Sequence, residues 1–168
     1  MTSQAQAPLR AMTAPPLHTP RVLVVDDEED ILLALRSFLR RALPGVDIVT
    51  ASSGRLGLER LAAGDIDIIL SDYRMPEMDG LRFLELAGLM APSVPRMMFT
   101  AYPDMQLSMR AVNEARIIHF FTKPVDPQQV RDVLAVVLDA QRAMRARELA
   151  LQRSVDLMRA RAGAPPAA

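Results

Sequence analysis

The sequence has no cysteine and no tryptophan, and it has only two histidines, His18 and His119. Without cysteine the chain cannot form a disulfide bond, use a thiolate nucleophile or bind zinc through sulfur. Two histidines so far apart in the sequence are too few for an ordinary histidine-based metal site. These absences exclude disulfide-stapled, thiol-dependent and cysteine–zinc proteins.

A net charge and a long hydrophobic run are also missing. The 20 lysines and arginines balance the 20 aspartates and glutamates, so the overall charge gives no reason to expect binding to nucleic acid or to a membrane surface. No apolar run approaches the roughly 20 residues that a membrane span needs, and the N-terminus lacks the apolar segment of a secretory signal. We therefore expect a soluble, cytoplasmic protein with no membrane partner, and nucleic acid is not an expected partner either.

Hydrophobic residues, by contrast, make up 50% of the 168 residues, which is enough for the core of one ordinary domain with extensions. Residues 1–20 are rich in Ala, Pro, Gln, Ser and Thr, and this composition predicts a disordered N-terminal segment. We predict a folded domain over residues 21–140, followed by a helical extension and a disordered C-terminal end over residues 141–168.

Short aliphatic runs alternate five times with segments of helical periodicity. The predicted strands are Val22–Val25, Val46–Val49, Ile66–Leu70, Met97–Phe99 and Ile117–Phe121. The helices that follow them carry apolar residues three or four positions apart, and the fourth of these helices is predicted around Met105–Val112. Strands that are mostly continuous apolar runs are typical of a parallel sheet covered on both faces. With right-handed crossovers, the sequence predicts an α/β fold with a doubly wound, five-stranded parallel sheet and helices on both faces.

Polar residues that can carry chemistry follow four of the five predicted strands. They are Asp26 and Asp27 after the first strand, Asp72 after the third, Thr100 after the fourth and Lys123 after the fifth. In such a sheet the functional site lies at the carboxyl ends of the strands, so we expect these side chains to converge. A single Asp after a strand usually forms a turn or caps a helix, but the coincidence of all these residues favours a functional site.

Three carboxylates at one edge repel one another unless a cation lies between them. Oxygen ligands suit a hard ion, and a few carboxylates with water suit Mg2+. With the metal bound, Asp72 could attack phosphorus and form an aspartyl phosphate. The phosphoryl oxygens would then be compensated by the metal, by Lys123, and by Thr100 with a backbone N–H. The pattern therefore predicts a Mg2+-dependent phosphoacceptor site.

Four segments of the sequence resemble the receiver domain of bacterial response regulators, and they occur in the same order. They are Val22–Glu29 (VLVVDDEE), Ile68–Gly80 (IILSDYRMPEMDG), Met98–Tyr102 (MFTAY) and Phe120–Pro124 (FFTKP). The resemblance covers about residues 20–140. It implies a flavodoxin-like sheet with strand order 2-1-3-4-5 and a role in a two-component system, in which a sensor histidine kinase or a phosphotransfer protein supplies a phosphoryl group. It also implies a phosphoacceptor that catalyses its own phosphorylation and dephosphorylation and is not otherwise an enzyme.

The resemblance implies a role for each residue of the site. Asp72 resembles the phosphoacceptor, and Lys123 resembles the phosphate-binding lysine. Asp27 resembles the direct Mg2+ ligand, and Asp26 the ligand that acts largely through water. The backbone carbonyl of Arg74 lies where the family supplies a further metal ligand.

A second group of residues is expected to transmit or tune the phosphorylated state. Thr100 resembles the switch hydroxyl, and Phe120 occupies the switch aromatic position, where the family often has Tyr. Phosphorylation is expected to draw Thr100 inward and let Phe120 follow, which would change the surface of the fourth predicted helix, the fifth strand and the fifth helix and so control the binding of a downstream protein target. Arg74 and Tyr102 occupy positions that tune the lifetime of the aspartyl phosphate in this family. The alternative is that both side chains point to solvent and have little effect.

Other functions use similar residues. An aspartate-nucleophile, Mg2+-dependent phosphohydrolase also places Asp after a buried strand, but it usually needs a second acidic residue two positions later, where this sequence has Arg74. A pseudo-receiver would bind partners without phosphorylation, and the intact set of site residues argues against it. A dinucleotide-binding fold is disfavoured, because the turn at Asp26–Asp30 (DDEED) would repel a pyrophosphate.

The last predicted helix can continue beyond Ala140, because no proline or glycine lies between Val130 and Ala162. Apolar residues recur there at a heptad step, at Val137, Met144, Leu151 and Met158. The intervening positions are poor coiled-coil partners: Ala140, Arg147 and Ser154. This extension could form a homodimer, dock another partner or be a frayed tail. Too few residues follow position 140 for an effector domain, so we expect output through contacts of the receiver itself.

Overall fold

The structure, a computed structural model, describes residues 18–101 and 113–162. The fourth predicted helix, Tyr102, most of the predicted N-terminal segment and the C-terminal end lie outside these ranges. The described range begins at His18, shortly before residue 21, where the sequence predicts that the folded domain starts. Pro20 is buried, and its carbonyl accepts a 2.8 Å hydrogen bond from the amide of Asp47. This hydrogen bond holds Pro20 against the folded domain.

Five parallel strands form one sheet in the order β2-β1-β3-β4-β5. The strands are β1 (Arg21–Val25), β2 (Asp47–Ala51), β3 (Ile68–Asp72), β4 (Arg96–Thr100) and β5 (Ile117–Thr122). The three central strands are almost entirely buried, as expected for aliphatic runs in a sheet covered on both faces. The α/β fold with a doubly wound parallel sheet and the strand order implied by the resemblance are both confirmed.

Helices cover both faces of this sheet. They are α1 (Glu29–Ala42), α2 (Gly54–Ala62), α3 (Gly80–Met90) and a C-terminal helix (Pro127–Ala162). Apolar residues of α1 and the C-terminal helix bury one face, and those of α2 and α3 bury the other. Side-chain caps fix where two helices begin, because the oxygens of Ser53 and Asp79 accept hydrogen bonds from amides of the first turns of α2 and α3.

Strand β3 extends two residues further than the sequence predicts. The predicted end is Leu70, because the two following residues are polar, but Ser71 pairs with Met98 and Asp72 pairs with Phe99 in the ladder with β4. Asp72 is thus the last residue of a central strand and not the first residue of a loop. The sheet therefore fixes the backbone of Asp72.

The C-terminal helix runs without interruption through the predicted domain boundary at Ala140. Its first part packs on the sheet through Val130, Leu134 and Leu138. After Gln141 every residue up to Met158 is exposed, so the second part of the helix extends beyond the body of the domain. None of the helices in the described ranges is long and apolar enough to cross a membrane.

Candidate functional site

Three aspartates lie together at the carboxyl edge of the sheet. Asp26 and Asp27 directly follow β1, and Asp72 ends the neighbouring strand β3. One oxygen atom from each carboxylate lies within 4.8 Å of those of the other two. Asp26 is completely buried and Asp72 is 4% exposed, whereas Asp27 is exposed. Two carboxylates of the cluster are therefore buried, and the third lies at the surface.

Lys123 is the cation of this cluster. Its Nζ lies 2.8 Å from Oδ1 of Asp72 and 3.3 Å from Oδ2 of Asp26. Glu28 lies at the rim, with Oε1 3.7 Å from the same Nζ. The amide of Lys123 donates a 2.8 Å hydrogen bond to the carbonyl of Thr100, which ties the lysine backbone to the end of β4. The structure thus brings together four residues that the sequence places at the ends of three different strands.

Backbone amides orient the two buried carboxylates. The amide of Arg74 donates to Oδ2 of Asp72 at 2.9 Å, and the amide of Glu28 donates to Oδ1 of Asp26 at 2.9 Å. In both cases the donor lies two residues after the aspartate, which is the geometry of an Asx-turn. Each carboxylate therefore has one oxygen held by the backbone and the other near Lys123.

Burial and charge shift the pKa values of two groups in the cluster. Burial raises the pKa of Asp26 above its ordinary value and repulsion from Asp72 adds to this, although the Glu28 amide and Lys123 act in the opposite direction. Burial alone would lower the pKa of Lys123. The hydrogen bond to Asp72 and the negative charges of Asp26 and Asp72 outweigh that effect, so the pKa of Lys123 is raised. One protonated lysine thus faces three carboxylates.

Two residues beside Asp72 support the site, and the sequence pattern did not identify them. A Cβ atom on Gly80 would lie 1.8 Å from the carbonyl oxygen of Asp72, so only glycine fits at the start of α3. The amide of Gly80 donates to the carbonyl of Tyr73 at 2.8 Å, and the hydroxyl of Ser71 donates to the carbonyl of Asp72 at 2.9 Å. These contacts close the turn onto the end of β3. The Asp79–Gly80 pair, a turn signal, could have pointed to this close approach.

Thr100 and Phe120, the two predicted switch residues, lie on one face of neighbouring strands. Thr100 ends β4 and is 2% exposed. Phe120 of β5 pairs with Met98 of β4. Because side chains alternate along a strand, Met98 and Thr100 share a face. Phe120 is partly buried against the apolar core on that face.

Of the two predicted tuning residues, only Arg74 lies in the part of the chain that the structure describes. Its backbone amide contacts Asp72, while its side chain is exposed. A tuning role for either residue stays a prediction.

The donor set of the cluster fits Mg2+. Three carboxylates supply oxygen ligands, which this hard ion prefers, and the exposed position of Asp27 leaves room for the water molecules that Mg2+ usually keeps. Lys123 balances one of the three negative charges. A divalent cation would therefore neutralise the remaining charge of the cluster.

A five-stranded parallel sheet of order 2-1-3-4-5, with three aspartates and a lysine at its carboxyl edge, defines a signal-receiver domain. Residues 22–135 match the family described as the response regulator receiver domain. The chain belongs to this family, whose members act in two-component systems and interact with histidine kinases and downstream effectors.

Several relatives of the chain are regulatory proteins. The chain is 34% identical over 123 residues to the transcriptional regulatory protein GlrR of Escherichia coli (strain K12), covering 73% of this chain. It is 33% identical over 118 residues to the response regulator protein PilR of Pseudomonas aeruginosa, covering 70% of this chain. The chain spans about a quarter, 26%, of the length of each of these two relatives.

The fold is also similar to solved receiver structures. One is the signal receiver domain of an HD domain-containing protein from Pseudomonas fluorescens Pf-5, with a TM-score of 0.71 and 32% sequence identity. That similarity covers 81% of this chain and 98% of the other chain.

Proposed function

We propose that this chain is the phosphoacceptor of a two-component phosphorelay, in which Asp72 takes a phosphoryl group from a sensor histidine kinase or a phosphotransfer protein. One observation carries the proposal: the ammonium group of Lys123 contacts Asp72 within a largely buried cluster of three aspartates. A carboxylate nucleophile, a phosphate-binding cation and a set of metal ligands are therefore within reach of one phosphoryl group.

The transfer forms one bond and breaks another. An oxygen of Asp72 bonds to phosphorus as the phosphorus–nitrogen bond of the donor's phosphohistidine breaks, and the bonding electron pair stays on the imidazole nitrogen. Lys123 can turn from the carboxylate to a phosphoryl oxygen, and the Thr100 hydroxyl can contact another. The chain positions the group and neutralises its charge, which is most of what phosphoryl transfer requires. Apart from this reaction and the loss of its own phosphoryl group, we propose no enzymatic activity.

The metal site of the proposal consists of Asp26, Asp27, Asp72 and the backbone carbonyl of Arg74. Bound Mg2+ supplies positive charge to phosphoryl and carboxylate oxygens. Without that charge, the carboxylates of Asp26 and Asp72 repel an anionic phosphodonor, so we propose that phosphorylation depends on the metal.

We further propose that Thr100 and Phe120 transmit the phosphorylated state. If the Thr100 hydroxyl moves toward the phosphoryl group, space opens on the face of the sheet that Phe120 shares. Phe120 has no hydroxyl, so it acts through a change in burial alone. Strand β5, which lies at the edge of the sheet and exposes 54% of Ile118, would pass this change to the surface that binds a downstream protein.

Formation of an acyl phosphate tests the proposal. With Mg2+ and acetyl phosphate, the wild-type chain should gain one phosphoryl group, and Asp72→Asn or removal of the metal should abolish the gain. The matched control is Asp79→Asn, since Asp79 is an exposed cap of α3 in the adjoining turn and Asn caps a helix equally well. Full labelling of Asp72→Asn would contradict the proposal. Sustained turnover of a generic phosphomonoester would favour a phosphohydrolase, and a chain that binds partners but takes no label would be a pseudo-receiver.

The exposed part of the C-terminal helix supports a second partner, another copy of this chain. Its apolar side chains form a stripe at heptad-like spacing and are largely exposed: Met144 67%, Leu151 61%, Val155 43% and Met158 70%. A two-stranded coiled coil would bury this stripe, although Glu148 interrupts it and limits its strength. We propose a weak homodimer through this helix.

Light scattering over a range of concentrations tests the dimer. Leu151→Asp should shift the mass to that of one chain. Leu149→Asp is the control, because Leu149 is 53% exposed on the same helix but lies outside the stripe. A wild-type mass of one chain at every concentration would contradict the dimer.

A further inference from the structure

A second buried carboxylate, at the amino edge of the sheet, joins three parts of the chain. Asp67 directly precedes β3 and is 5% exposed. Its Oδ2 accepts a 2.7 Å hydrogen bond from the amide of Arg21, the first residue of β1, and Nε2 of His18 lies 2.9 Å from the same oxygen. Its Oδ1 lies 2.6 Å from a guanidinium nitrogen of Arg145, in the C-terminal helix. One side chain therefore contacts the start of the described chain and the C-terminal helix.

Arg145 reaches the body of the domain from beyond the point where apolar packing ends. The last core residue of the C-terminal helix is Leu138, and the side chains from Arg142 to Met158 are exposed. Two nearby polar contacts lie within the helix: the 3.1 Å ion pair of Arg142 with Asp139 and the hydrogen bond from the Ser154 hydroxyl to the carbonyl of Ala150. The pair between Arg145 and Asp67 thus links the extending part of the helix to the sheet.

We propose that Asp67 is an anchor that fixes the direction of the C-terminal helix beyond the domain. A buried carboxylate must be compensated by hydrogen bonds or an opposite charge, because its loss of hydration is costly. The Arg21 amide and His18 compensate Oδ2, and Arg145 compensates Oδ1. Displacing the helix would leave a buried charge without this partner, so the carboxylate holds the helix in place.

The anchor stabilises a part of the helix that has no apolar packing against the domain. Most helical stability in proteins comes from the packing of an apolar face, and this packing ends at Leu138. The ion pair joins a carboxylate that is 4% exposed to a guanidinium that is 45% exposed, so it is less screened than a pair on the open surface. The anchor therefore also sets the direction in which the stripe of Met144, Leu151 and Val155 faces.

Distances between two spin labels test the anchor directly. The chain has no native cysteine, so labels can be attached at Arg40→Cys in α1 and Leu157→Cys in the extending helix. We expect a narrow distance distribution in the otherwise wild-type chain and one at least about twice as broad after Arg145→Gln, because the extending turns lose their ionic restraint. The matched control is Arg142→Gln, which removes an arginine from the same helix but leaves Asp67 untouched. An equally narrow distribution after Arg145→Gln would overturn the proposal.

Hydrogen exchange separates loss of the anchor from a general loss of stability. Arg145 is half-exposed, so Arg145→Gln should fold, with amides of residues 146–158 exchanging about tenfold faster and those of β1 and β3 unchanged. Asp67→Asn should accelerate the exchange of the same amides. The double variant should accelerate exchange no more than the more effective single variant does, because both substitutions remove the same ion pair, that between Arg145 and Asp67. Additive acceleration, or unchanged exchange after Arg145→Gln, would overturn the proposal.

Discussion

Both edges of the sheet carry buried carboxylates and a cation, but the ratio of negative groups to donors differs between the two edges. At the carboxyl edge Lys123 lies 2.8 Å from Asp72, and two further aspartates lie within 4.8 Å. At the amino edge Arg145 lies 2.6 Å from Asp67, where an amide and His18 contact the same carboxylate. One carboxylate with several donors is compensated, whereas several carboxylates with one lysine are not. An excess of like charge, and not the mere presence of a buried ion pair, distinguishes the candidate functional edge.

Strand β3 connects these two environments, because Asp67 directly precedes it and Asp72 ends it. Stored repulsion is typical of sites that bind a cation or react, while a satisfied ion pair is typical of a structural contact. If this contrast is correct, removing a charge should have different consequences at the two edges.

The largest effect on stability should come from Asp67→Asn. Asn is a weaker acceptor than the buried carboxylate, which contacts the Arg21 amide, His18 and Arg145. Donors left without a good acceptor cost about 1–3 kcal/mol each, so the free energy of unfolding should fall by about 3 kcal/mol. Asp72→Asn removes a like charge from beside Asp26, so without Mg2+ it should change stability by no more than about 1 kcal/mol. Urea unfolding in metal-free buffer measures both values.

The exposed substitution Asp132→Asn is a control for the general effect of removing a charge, since Asp132 lies on the open surface of the C-terminal helix. Equal losses for Asp67→Asn and Asp72→Asn would mean that the two edges do not differ in charge balance.

Two glycine substitutions in α3 test how tightly the turn beside Asp72 is packed at the carboxyl edge. We expect their effect on stability to be somewhat smaller than that of Asp67→Asn. Gly80→Ala places a methyl group 1.8 Å from the Asp72 carbonyl at the carboxyl edge, and the forced backbone shift should cost about 2 kcal/mol. Gly88→Ala lies in the same helix and meets the guanidinium of Arg96, with the nearest atom at 3.2 Å. The guanidinium of Arg96 is held by hydrogen bonds to the carbonyls of Ala115 and Val94, but it needs to move by only a few tenths of an ångström. Because alanine favours a helix by about 1 kcal/mol over glycine, the net loss of stability should be smaller than for Gly80→Ala.

Thermal unfolding of both glycine variants provides the measurement, and phosphorylation by acetyl phosphate should be lost only in Gly80→Ala. A Gly80→Ala protein as stable as Gly88→Ala would show that the turn after β3 can relax without disturbing Asp72.

A third and smaller effect concerns pH at the carboxyl edge. Burial raises the pKa of Asp26 above its ordinary value of 3.8, so the folded state holds this proton more tightly than the unfolded state. The contribution of Asp26 to stability therefore falls as pH rises from the ordinary value through the raised pKa. Without Mg2+, Asp26→Asn should remove this part of the decline, and Asp132→Asn should leave it. Identical pH profiles for wild type and Asp26→Asn, measured by urea unfolding, would refute the expectation that burial of Asp26 makes the folded state less stable as pH rises.

Most of the fold could be predicted from the sequence because the evidence for it is local and repeated. Continuous aliphatic runs between amphipathic segments predict a parallel sheet, and the carboxyl ends of parallel strands must share an edge. The sequence therefore predicts that Asp26, Asp27, Asp72 and Lys123 lie together. It predicts an end of β3 that is two residues too early, because pairing with β4 overrides the low strand preference of Ser71 and Asp72.

The amino edge could not be predicted in the same way. Asp67 lies between two isoleucines, and nothing in its neighbourhood distinguishes a buried carboxylate from a solvated one. Its partners come from the start of the described chain and from the C-terminal helix, so only the folded structure shows the contact. The role of Gly80 also follows only from the folded structure, because it depends on how close a Cβ atom at this position would lie to the carbonyl oxygen of Asp72.

The smallest effect should come from Arg74, whose side chain is the exposed cation nearest in sequence to Asp72. If it shields the phosphoryl group from water, Arg74→Ala should shorten the lifetime of the aspartyl phosphate about two- to fivefold, because exposed ionic contacts contribute only about 0.2–1 kcal/mol. The rate of dephosphorylation after removal of the phosphodonor measures this, with Arg82→Ala as a control for loss of a nearby exposed arginine in α3. At the amino edge, an arginine reaches a buried carboxylate and completes its compensation. An unchanged lifetime in Arg74→Ala would mean that Arg74 is not such a second cation, and that its side chain does not help Lys123 to balance the added phosphoryl charge.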